Sequence, residues 1–66
     1  MKRNNLKKIR EELFMSKAEL ARKAGVSPIT IDRIENGSLC RIETKRKILW
    51  ALGYEFSDYT KVFPAK

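Results

Sequence analysis

Histidine is absent from this sequence, and cysteine occurs once, as Cys40. A single thiol excludes an intrachain disulfide, and one Cys with no His leaves too few ligands for a zinc site. No metal and no other cofactor is expected. The same scarcity removes the usual acid–base and nucleophile pairs. The carboxylates show no recognisable paired spacing, so enzymatic activity is not expected. Free-thiol chemistry points to a reducing compartment and a cytoplasmic location. Long apolar runs are missing as well, and nothing approaches the roughly 20 residues that span a bilayer. Lys2 and Arg3 have the charge of a signal-peptide start, but no apolar segment follows them. Internal repeats and low-complexity segments are lacking too.

Positive charge, by contrast, is abundant. The net charge is +7 over 66 residues, with a pI near 9.9. Such a balance favours a polyanion, either nucleic acid or an acidic membrane surface. Charge alone does not separate these from a solvated basic surface. The length fits one domain, residues 1–66. So small a domain buries only about 60% of its unfolded surface and needs a compact core or a partner.

Apolar residues recur at helical spacing throughout. Leu6, Ile9 and Leu13 form one stripe, Leu20, Ala21 and Ala24 a second, and Ile48, Leu49 and Leu52 a third. No stretch alternates for long enough to suggest a strand. Five short helices are expected. The first covers about Asn5 to Phe14. The second opens at Ser16, where Ser16 and Glu19 form a capping box, and closes at Gly25. The third runs from Pro28, capped by Ser27, to a stop at Gly37. The fourth covers about Glu43 to Leu52 and closes at Gly53. The fifth covers about Ser57 to Val62, with Ser57 as its cap. Helices two and three are joined only by Gly25, Val26 and Ser27, so they cross steeply, as in a helix-turn-helix unit.

The third helix carries three isoleucines and can bury only one stripe. Counting from Pro28, Ile31 and Ile34 fall near about 300° and about 240°, whereas Ile29 falls near about 100°. Ile31 and Ile34 therefore face the core. Ile29 stands outward beside Arg33 and Asn36, with Thr30 at the flank and Glu35 at the edge of the buried stripe. An outward face of this kind suits a DNA major groove. Arg bonds guanine O6 and N7 together, and an apolar side chain meets a thymine methyl. Asp32 would repel phosphate there, unless it accepts from a cytosine amino group or orients a neighbouring Arg.

The segments S-K-A-E-L-A-R-K-A-G-V-S (16–27), I-x-x-I-E-N-G (31–37) and K-I-L-W-A-L-G (47–53) resemble the Cro/CI-type, or XRE, helix-turn-helix repressors. The likeness covers about residues 6–53. It implies an all-α, five-helix, lambda-repressor-like fold in which helices two and three form the DNA-binding unit. It implies base reading by Pro28, Ile29, Thr30 and Arg33. It implies phosphate contacts at Ser16, Lys17, Asn36 and Arg41, and a structural pair between Arg10 and Glu35. The sequence departs from the family in three places. Lys17 stands where Gln is common, Leu13-Phe14-Met15 replaces a polar link that often holds Gly, and Pro28 has no N–H for a phosphate. The link at Phe14 is expected to be tighter or to carry an exposed ring.

Of the six aromatic residues, five lie after residue 49. Some must be core. Trp50 departs from the Ile48–Leu52 stripe, and an outward Trp50 with Leu39 or Phe63 would form a self-association patch. Residues 54–66 are thus a possible dimer contact, and Cys40 a loop or dimer-edge thiol without chemistry. The basic segments Lys2–Arg10 and Lys45–Lys47 are either solvated faces or long-range attractors of DNA. The expected function is a sequence-specific double-stranded DNA-binding transcriptional regulator. It acts as a repressor and a homodimer on a palindromic operator, with half-sites ~34 Å apart. The alternative is an antitoxin-like module whose main partner is a protein. No membrane partner is expected.

Overall fold

The computed structural model describes residues 4–64. Lys2 and Arg3, part of the basic N-terminal segment, lie outside the described residues. Five α-helices follow in order: α1 (Leu6–Glu12), α2 (Lys17–Ala24), α3 (Pro28–Glu35), α4 (Ile42–Ala51) and α5 (Tyr59–Val62), the last entered through a 3-10 turn at Phe56–Asp58. Among the described residues there is no strand, and no helix is long and apolar enough to cross a membrane. The domain is all-α.

The core collects one stripe from each helix. Leu6, Leu20, Ile31, Ile34, Ile48, Leu49 and Val62 are its largest fully enclosed side chains. The helix periodicity of the sequence selects nearly this set. Leu13, the cap residue after α1, is the exception and is 43% exposed.

The helix boundaries follow from local chemistry. At α2, the Ser16 hydroxyl accepts from the Glu19 N–H at 3.0 Å, and the Glu19 carboxylate accepts from the Ser16 N–H at 3.2 Å. At α3, the Ser27 hydroxyl accepts from the Thr30 N–H at 3.2 Å, and Pro28 fills the first position. The fifth helix differs from expectation. Ser57 is not its cap. Glu55 and Asp58 reciprocate around the 3-10 turn, with Asp58 Oδ2 accepting from the Glu55 N–H at 3.2 Å. That bond and the nearby Lys61 hold the Asp58 carboxyl below the usual range.

Residues near both ends of the described segment are tied to the bundle. The Asn5 N–H donates to the Val62 carbonyl at 2.8 Å, and Asn4 Nδ2 donates to the Ile34 carbonyl at 2.7 Å. Asn4 thus links the start of α1 to the end of α3, fixing the helix that carries the outward isoleucine.

Candidate nucleic-acid interface

The turn between α2 and α3 sets the site. Gly25 takes φ 72°, a left-handed conformation that other residues adopt at a cost. A Cβ there would meet nothing within 4 Å, so the dihedral and not space requires glycine. The Val26 N–H then donates to the Ala21 carbonyl at 3.0 Å, which closes α2. Val26 packs against the core, and α3 begins two residues later.

On α3, Ile31 and Ile34 are buried, while Ile29 is 63% exposed. Arg33 and Pro28 are exposed, and Thr30 is half-buried. The Thr30 hydroxyl lies 3.0 Å from that of Ser27, so one of its bonds is internal. The side chains of Pro28, Ile29, Thr30 and Arg33 thus lie on or beside the solvent face of one helix.

Lys17 and Asp32 meet across the turn. Lys17 Nζ stands 2.5 Å from Asp32 Oδ1, with both side chains partly exposed. The hydrogen bond and charge of Lys17 hold the Asp32 carboxyl below its ordinary range. This pair was not legible in the sequence. It gives Asp32 a Lys partner in place of the neighbouring Arg considered above, and it mutes the anion that would repel a phosphate. Ser16, spent as a cap acceptor, keeps its hydroxyl proton free to donate. Asn36 is exposed, and its Nδ2 donates to the Asp32 carbonyl at 2.8 Å.

Arg41 is exposed and precedes α4, whose N-terminus has no side-chain cap. The first N–H groups of α4 therefore have no side-chain acceptor from the cap residue, and they stand next to a cation, an arrangement that suits an anion. Thr30, Arg33, Ser38, Leu39, Arg41 and Thr44 line one hollow. Leu39, 99% exposed, belongs to this side of the domain. Cys40 also lines the hollow, and burial pushes its thiol pKa up, which keeps it protonated.

Arg10 and Glu35 hold the site from behind. Arg10 Nε donates to Glu35 Oε2 at 2.6 Å, and Nη2 to Oε1 at 3.3 Å, with both residues buried. Arg10 Nη1 also donates to the Met15 carbonyl at 2.8 Å. One guanidinium thus joins α1, the α1–α2 link and the last turn of α3. Glu35 raises the Arg10 pKa further.

The self-association patch is corrected in two respects. Phe63 is 7% exposed and belongs to the core. Its ring centroid lies 6.0 Å from that of Tyr59, and the Lys45 ammonium sits 5.5 Å away. Its ring is turned inward and is not an exposed surface group. Leu39 and Trp50 line different hollows, the former with Arg33 and the latter with Arg22, Lys23, Arg46 and Lys47. Leu39, Trp50 and Phe63 do not assemble into one patch.

A family model described as helix-turn-helix matches residues 6–58 of the chain. No curated protein matches it.

Proposed function

The chain belongs to the helix-turn-helix family of Cro/CI-type DNA-binding regulators, and from that premise we propose that it is a repressor. It docks the N-terminal half of α3 in the major groove as a homodimer on a palindromic operator. The observation that carries this reading is the exposed Ile29–Arg33 face of α3, backed by the buried Ile31 and Ile34. Arg33 reads a guanine edge, and Ile29 meets a thymine methyl. Thr30 and Pro28 complete the base-facing surface. Ser16, Lys17, Asn36 and Arg41 flank it and contact phosphates, which fix register without carrying sequence information. The Lys17–Asp32 pair lets an acidic residue stand on the reading helix at little electrostatic cost. A bound dimer occludes its operator, which suffices for repression.

The test is Arg33→Ala. Binding to the preferred duplex should weaken by about 1–3 kcal/mol, with selectivity relaxed at one base pair and random-duplex affinity nearly unchanged. Equal losses on both duplexes would make Arg33 a phosphate contact and sink the base assignment.

One observation favours a second reading, a module whose main partner is a protein. Trp50 is 74% exposed on the hollow that it shares with four cations. A stable protein complex with no duplex affinity at low salt would favour that reading.

A further inference from the structure

Three features lie outside the face proposed for duplex recognition. Glu11 and Glu12 occupy the last turn of α1, where the helix dipole disfavours anions, and neither forms an ion pair among the described residues. Phe14 takes φ 57°, and its ring is 93% exposed. The left-handed backbone closes α1, with the Phe14 N–H donating to the Glu11 carbonyl at 3.0 Å and the Met15 N–H to the Arg10 carbonyl at 3.1 Å. A glycine would serve that turn at less cost, and the exposed ring has nothing packed on it within one chain. Trp50 is also outward. It lines a hollow with Arg22, Lys23, Arg46 and Lys47 over a floor of Ala24 and Gly25, and no carboxylate lines it. None of these four cations forms an ion pair among the described residues.

These features are neighbours through Leu13 and Met15. Trp50 and Lys23 also line an adjoining hollow together with Leu13 and Met15. Leu13 and Met15 flank Phe14 in the chain, so the Glu11–Phe14 knuckle borders the Trp50 surface, with Glu11, Glu12 and Phe14 themselves lining neither hollow. The cationic hollow lies on the far side of Trp50 and Lys23. Arg46 is held in place, its guanidinium 5.3 Å from the Phe56 ring centroid. None of these residues lines the hollow of Arg33 and Arg41.

We propose that a second copy of this chain docks on this surface about a two-fold axis, the Glu11–Phe14 knuckle of each protomer seated in the Trp50 hollow of the other. This names the interface of the homodimer proposed above and rests on that reading. A two-fold contact uses one patch twice, so the patch must match itself after a half-turn. A patch that is acidic at one end, aromatic in the middle and cationic at the other meets that condition. The carboxylates meet guanidinium forks, which suit bidentate pairing. The Phe14 ring packs against Trp50, and aromatic and Arg anchors of this kind dominate interface energies. The chain is +7 overall, so copies repel at long range, and only a local match of opposite charges brings them together. The interface leaves α3 free for the groove.

The test is charge exchange. One variant carries Glu11→Lys and Glu12→Lys, and the other Arg46→Glu and Lys47→Glu. Association is followed by sedimentation and by the emission of Trp50, the only tryptophan. The wild type is expected to dimerise with a blue-shifted emission. Each variant alone sets like charges against each other and stays monomeric. Their equimolar mixture restores both contacts, and the dimer and the blue shift return. A monomeric wild type, two variants that still dimerise alone, or a mixture that stays monomeric would each overturn the proposal. Binding of an acidic peptide at Trp50 without self-association would also overturn it. Circular dichroism checks folding. If a reversal unfolds the domain, Phe14→Gly and Arg46→Ala replace it, each expected to weaken association ~10-fold or more. The DNA reading is scored separately. Monomeric variants should still prefer a half-site duplex over a random one, whatever becomes of the interface.

Discussion

Replacing Arg10 by Met should remove a large share of this domain's stability, and replacing Glu35 by Leu as well should restore it. The Glu35 carboxylate has a side-chain exposure of 3% and accepts two bonds from Arg10. Arg10→Met leaves that anion enclosed without a partner. Breaking a buried pair in this way costs about 3–5 kcal/mol. A chain of this length has a total stability of only about 3–10 kcal/mol. In urea, with a slope near 1 kcal/mol/M, the midpoint should fall by about 3–5 M. The double variant Arg10→Met/Glu35→Leu removes both charges and keeps an apolar filling. Such replacements are often neutral, or stabilise by about 1–4 kcal/mol. The lost bond from Arg10 to the Met15 carbonyl offsets part of that, by about 1 kcal/mol. Urea titrations read by circular dichroism at pH 7 give all four corners of the cycle. A single Arg10→Met variant as stable as the double would refute the reasoning, because an unpaired Glu35 would then cost nothing.

Other outcomes follow from the same geometry. Phe14→Gly should stabilise the monomer by about 0.5–1 kcal/mol, the relief of a left-handed residue less the added chain entropy of Gly; a lower urea midpoint under dilute conditions would contradict the strain. Ile29→Ala should reduce preference for one A·T pair without changing the salt slope, and an altered slope would show a role other than methyl contact. Lys17→Ala should weaken binding to all duplexes and flatten the salt dependence. Adding Asp32→Ala should recover part of the loss, and no recovery would mean that Asp32 does not face the DNA. Asp32 has a folded pKa below its ordinary value. Its contribution to stability is therefore complete above the unfolded carboxyl range and is lost as pH falls through the lower folded value. Acid titration of wild type against Asp32→Asn should converge there, and divergence as pH falls would reverse the sign.

Much of this architecture is legible in the residues because local and global signals agree. The Ser16–Glu19 box and the Ser27–Pro28 start both appear where the spacing puts them. The division of Ile31 and Ile34 from Ile29 follows from helical geometry alone. The resemblance to the family pointed to Arg10 and Glu35, and burial of both residues shows what that pair holds together. What escaped the sequence depends on long-range geometry. The Lys17–Asp32 pair joins residues fifteen apart across a turn, and no helical spacing encodes it. Phe63 follows α5, whose inward tilt is set by packing and by the Asn5 bond to Val62. Trp50 was legible as outward, but its four cationic neighbours come from two helices. The Phe14 position was visible as a departure from the family's glycine, and the structure shows the left-handed backbone that glycine would serve.

The central claim is that the exposed face of α3 reads a palindromic duplex, and selection from a random duplex library at physiological salt tests it most directly. An enriched palindrome is expected, with half-site centres one helical turn, ~34 Å, apart. One position in each half-site should lose its preference in Arg33→Ala. A folded wild type that enriches no sequence, or enriches one that Arg33→Ala reads equally well, would contradict the account.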